Sequence, residues 1–154
     1  MDARHSLELL DGVLLSYPNL GFGGFARSRR LGQTAVEHAN QVKCDREEMR
    51  TPWAVDQFER SLDWLNRQPR TKRPNRRAGS SYSLKDEVEG GHVSNGMFLA
   101  AAFSRGYLIE RIDGPYSGWL NISQLRASNP NLHLLVPHPE AVRLLKELGR
   151  PIGW

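Results

Sequence analysis

Apolar residues recur at helical spacing in three stretches of the N-terminal half. Leu7, Leu10 and Leu14 fall on one face of residues 2–15, interrupted by Gly12. Val36, Ala39 and Val42 mark one face between Gln33 and Met49, while Val55, Phe58, Leu62 and Leu65 form a stripe after Thr51 and Pro52. Spacings of three and four residues put side chains on one side of an α-helix, so each stretch predicts one. The third also carries a start signal: the Thr51 hydroxyl can cap free amides, and Pro52 loses nothing at the first helical position. Between the first two helices, "SYPNLGFGGF" is turn chemistry.

The pattern changes after Leu65. Residues 66–81, "NRQPRTKRPNRRAGSS", contain two prolines and a glycine but no large apolar side chain. Such a segment has nothing to bury and reads as an exposed loop or linker. Within a single domain of residues 1–154, it separates a possible N-terminal helical subdomain (1–65) from a C-terminal α+β part (82–154). That part opens with a short helix from Ser83, a turn at Gly90 and Gly91, and a helix from Ser94 that stops near Gly106. "YLIERI" and "WLNI", joined by "DGPYSG", favour a β-hairpin. "LHLLV" is a further short strand, and "PHPEAVRLLKELG" an amphipathic helix with Pro139 near its start and Gly149 past its end. The order of elements predicts an α+β fold, mostly helical, with a small antiparallel sheet in the C-terminal half.

Helix, glycine turn and helix in "EGGHVSNGMFLAAAF" have the outline of a DNA-reading unit. A reading helix keeps a polar face over more than one turn. "MFLAAAF", Met97 to Phe103, is apolar on every face, which predicts a central, buried helix instead. Only its start keeps a functional reading: His92, Ser94, Asn95 and Gly96 form a possible anion contact, because free amides at a helix N-terminus favour negative charge.

A chain of 154 residues fits one domain and can bury roughly two-thirds of its unfolded surface. The single cysteine, Cys44, cannot form an internal disulfide, which favours a reducing compartment. "MDARHSLELLDG" lacks the regions of a signal peptide and no apolar run reaches membrane-spanning length. A cytoplasmic protein with no membrane partner is expected.

The net charge of +4 is modest, but its distribution is not. No acid lies between Asp63 and Asp86, while Arg67, Arg70, Lys72, Arg73, Arg76, Arg77 and Lys85 all fall inside. This run can neutralise several phosphates, or face an acidic protein surface. Trp64 before it and Tyr82 after it are candidates to stack on a base. Arg27, Arg29 and Arg30 form a second acid-free basic patch at the end of "GFGGFARSRR". That glycine stretch lacks the Gly-Lys-Ser/Thr ending of a phosphate-binding P-loop, so it reads as a structural loop with a basic end.

The five histidines and Cys44 show no metal-ligand spacing. No arrangement of nucleophile and base is recognisable, so no catalytic residue, metal or cofactor is assigned. A non-enzymatic protein is expected.

"SSYSLKDEVEGGHVSNGMFLAAAFSRGY", Ser80 to Tyr107, resembles a group of small uncharacterised bacterial proteins of plasmids, prophages and other mobile elements. The resemblance rests on Ser81, Tyr82, Leu84, Lys85, Val93, Ser94, Asn95, Gly96 and Phe98; His92 stands where the group has tyrosine. It supplies a setting and no activity. Taken with the charge pattern, that setting implies a mobile-element binding protein that engages DNA or RNA through the basic segment. The alternative is an inhibitor of a host defence system, of the anti-CRISPR kind, facing an acidic or nucleic-acid-binding host protein. An enzyme with an unrecognised site is the third possibility.

Overall fold

The structure is a computed structural model that describes residues 2–26, 29–112 and 117–123. The "LHLLV" strand, the "PHPEAVRLLKELG" helix and Arg27 lie outside the described residues.

Among the described residues, four of the five helices start on a side-chain cap. Helix α1 spans Ala3–Ser16, with the Asp2 carboxylate accepting from the Arg4 amide. Helix α2, Ala35–Glu48, begins with a full capping box: Thr34 accepts from the Glu37 amide and Glu37 from the Thr34 amide. Helix α3, Pro52–Asn66, starts on the Thr51 hydroxyl. A short helix α4, Ser81–Leu84, runs into a 3-10 turn at Lys85–Glu87. Helix α5, Asn95–Ser104, is capped by Ser94.

The fold is α+β and mostly helical, and the late antiparallel pair is present. Strand β3 (Ile109–Arg111) pairs with β4 (Gly118–Leu120), Glu110 lying opposite Trp119. A second antiparallel hairpin occupies the stretch read only as turn chemistry. Here β1 (Leu20–Gly21) pairs with β2 (Gly24–Phe25), and Gly24, at φ 121°, adopts a conformation that L side chains rarely reach. Two-residue strands carry no alternation, so periodicity could not reveal them.

Helices α1 and α3 both pack on α5, with α3 making the more extensive contact. Eight of the ten residues of α5, Asn95 to Ala102, are buried, in a core that also holds Leu10, Phe58, Leu62 and Leu65. Its start is wedged against the first hairpin. The Gly96 amide donates to the Phe22 carbonyl at 2.9 Å, and a Cβ at Gly96 would overlap the Gly21 carbonyl oxygen. Only glycine lets the two backbones approach so closely.

Residues 66–81 are not a free linker. The Thr71 amide donates to the Asn121 carbonyl (2.9 Å), Asn75 to Leu120 (2.8 Å) and Ser123 to Pro69 (2.9 Å). Two isolated bridges, Arg70 with Ile122 and Ser80 with Trp119, continue the pairing. The Asn75 and Asn121 side-chain amides reinforce it by donating to the Ile122 and Thr71 carbonyls. The segment cannot build a core, as its composition requires, but these backbone hydrogen bonds hold it against β4 and the residues that follow.

Helix α2 forms as its spacing predicts, yet none of its residues is buried. It is tied down by Arg46, whose guanidinium donates to the Leu14, Tyr17 and Leu20 carbonyls. This closes the end of α1 against β1. Among the described residues, no helix is long and apolar enough to cross a membrane.

Candidate nucleic-acid interface

Pinning the segment 66–81 to β4 sorts its cations into two groups. Three are engaged by the protein itself. Arg67 pairs with Glu89 at 2.6 Å; the hydrogen bond between them raises the arginine's pKa and holds the Glu89 carboxyl below its ordinary range. The Arg70 guanidinium lies 3.9 Å from the centre of the Tyr107 ring and donates to the Arg105 carbonyl at 2.7 Å. Arg76 pairs with Glu110 at 2.5 Å.

The other three are presented to solvent. Lys72, Arg73 and Arg77 are exposed, and their side chains have no ion-pair or hydrogen-bond partner among the described residues. Backbone contacts fix their positions: the Thr71 hydroxyl donates to the Arg73 carbonyl, and the Asn75 carboxamide accepts from the Arg77 amide. A long cation on a fixed backbone keeps its charge available while losing little chain entropy on binding.

The two flanking aromatics diverge. Trp64 is buried against Phe98, its ring 5.8 Å from that ring, and is unavailable to a ligand. Tyr82 remains 61% exposed. Lys85, counted with the basic run, is almost wholly buried; its ammonium sits 4.7 Å from the Tyr82 ring and 2.9 Å from Asp86. Lys85 therefore positions Tyr82 from beneath.

The corner at residues 92–96 is largely enclosed. Ser94, Asn95 and Gly96 are buried, whereas His92 is exposed. The Gly96 amide is given to Phe22, the Met97 amide to the Ser94 hydroxyl, and the Ser94 amide to the Gln57 carboxamide oxygen at 2.7 Å. Protein acceptors thus occupy three of the amides that an anion would seek there. Of the second basic patch, Arg29 and Arg30 are described, and both are exposed.

Three arginines that sequence reasoning passed over hold the surroundings together. Arg60 binds Asp56 and spreads its guanidinium over the Glu89, Gly91 and His92 carbonyls, fixing the glycine turn. Arg46 clasps the end of α1. Arg111 donates to the Ala26 carbonyl at 3.1 Å and covers the Phe25 ring, joining β3 to the first hairpin. Each looked like one more surface charge, because the backbone carbonyls it holds are distant in sequence. Among the described residues no group of three or more His, Cys, Asp or Glu is placed to hold a metal ion.

The chain matches no family model, no curated protein and no solved structure.

Proposed function

We propose that this is a non-enzymatic, cytoplasmic nucleic-acid-binding protein of the mobile-element kind, and that Lys72, Arg73 and Arg77 are its principal phosphate contacts. One observation carries the reading: three exposed cations whose side chains have no partner among the described residues, on a backbone held along β4. Charges so placed attract a polyanion without regard to sequence, and binding releases condensed counterions. Arg67, Arg70 and Arg76 contribute less, because the protein already engages them. The mobile-element setting rests on the "SSYSLK" and "VSNGMF" resemblance alone.

A mobility-shift titration against DNA and RNA, single- and double-stranded, tests the proposal. Replacing Lys72, Arg73 and Arg77 together by alanine should abolish binding at moderate salt and flatten the salt dependence by about 0.7–0.9 per lost contact. Absence of binding to all four forms at low salt sinks the reading. A second reading, an inhibitor that docks on a host defence protein, is favoured by the exposed apolar side chains Leu31 and Val36 beside and on α2. A stable complex that survives the triple substitution but is lost in Val36→Asp would support it instead.

A further inference from the structure

Tyr82 forms one wall of a cavity of about 390 Å³ between the β1–β2 hairpin and α2, within the roughly 300–1,000 Å³ range of small-ligand sites. The backbone of Gly23 and Gly24 lines another side, with no side chain to obstruct a flat ring. Asp45 and Gln41 of α2 face the same space, and Arg30 stands on its lining, next to Arg29. The Asp45 carboxylate has no ion-pair or hydrogen-bond partner among the described residues. The Gln33 carboxamide donates to Gln41 at 3.0 Å, which occupies that oxygen and leaves the Gln41 NH₂ group to donate.

From this arrangement we infer that the cavity receives a single unstacked nucleobase, whose ring lies on Tyr82, whose N–H edge meets Asp45, and whose phosphate meets Arg29 and Arg30. The partition of charge supports that orientation. A phosphate is repelled by the inner carboxylate and drawn to the outer guanidiniums, whereas a base edge rich in donors is drawn inward. Guanine fits best, because its N1–H and N2–H₂ donors lie side by side and can engage both oxygens of one carboxylate. Stacking on tyrosine is indifferent to sequence, so preference comes from Asp45 and affinity from Tyr82.

A base inside a duplex cannot reach such a cavity, so its source is either a single strand or a free nucleotide. The inference rests on the nucleic-acid reading for the first source and stands apart from it for the second. Fluorescence anisotropy with a labelled G-containing single strand, its duplex, and a matching strand without guanine covers one arm. Calorimetric titration with guanosine monophosphate covers the other.

Tyr82→Ala should weaken single-strand binding about tenfold, Tyr82→Phe should retain it, and duplex binding should stay within about twofold. Asp45→Asn should erase the advantage of the guanine-containing strand. Because Tyr82 is exposed, its truncation leaves the fold intact. If the mononucleotide binds with the same Tyr82 dependence while no strand binds, the cavity proposal stands and the phosphate-contact reading falls. If strands bind through Lys72, Arg73 and Arg77 but Tyr82→Ala changes nothing and the mononucleotide does not bind, the cavity proposal falls alone. If nothing binds, both fall.

Discussion

Helices α5 and α2 meet the rest of the molecule in opposite ways. The first buries eight of its ten residues, and the second buries none of its fourteen. "MFLAAAF" leaves α5 no face that water would accept, so it sits against α1, α3 and the first hairpin. Along α2, Val36, Ala39 and Val42 offer too little apolar area to draw the helix inward. It is held by its capping box and by Arg46. Periodicity therefore predicts that a helix exists, while the amount of apolar surface decides how deep it lies. A deep helix has no room for a ligand. An uncovered one, beside a hairpin of glycines, leaves a cavity along its flank.

The sharpest break in this comparison would come at Gly96. Gly96→Ala forces a methyl group into the Gly21 and Phe22 carbonyls, and backbone yields less readily than side chains. Urea unfolding should show a loss of about 3 kcal/mol or more, at the upper end of overpacking costs. A loss below about 1 kcal/mol would mean that the hairpin does not seat on α5.

That contact also marks where the sequence stopped being legible. Thr51 and Ser94 announce helix starts by local chemistry, and the spacing of Val36, Ala39 and Val42 announces α2, so those helices could be read directly. "MFLAAAF" announced burial by the same kind of local reasoning. The seating of Gly96 on Phe22, the pairing of Asn75 with Leu120, and the clasp of Arg46 on α1 join residues far apart in sequence. Nothing in a local pattern encodes them. The basic run was visible as charge, but its division into engaged and available cations depends on Glu89, Tyr107 and Glu110, which only the fold brings near. The cavity beside Tyr82 has walls from three separate segments and left no trace in composition or spacing.

Removing Arg46 should have the next largest effect. Its guanidinium satisfies three carbonyls at the junction of α1, β1 and α2, and burial lowers its pKa through desolvation without neutralising it. Hydrogen bonds to a charged group contribute about 1.5–3 kcal/mol, so Arg46→Ala should cost about 2 kcal/mol in urea unfolding. Hydrogen exchange should quicken along α2 and at the end of α1, while α3 and α5 keep their protection. Arg46→Lys should recover only part of the loss, because an ammonium cannot spread over three carbonyls as a planar fork does. Uniform loss of protection across all helices would place α2 inside the same cooperative unit as α5 and erase the contrast between them.

The smallest effect is expected at Val36, and it is the most informative about that contrast. The side chain is 71% exposed, so exchanging it for a carboxylate returns little buried apolar surface to water. It also lies in the first turn of α2, where a negative charge is favoured by the helix dipole. These terms offset the lower helix propensity of aspartate, and Val36→Asp should change stability by no more than about 0.5 kcal/mol. A loss above about 1 kcal/mol would require the Val36 face to be covered in solution. Its dependence on protein concentration would then tell a second copy from a segment of the same chain, since only the copy is lost on dilution.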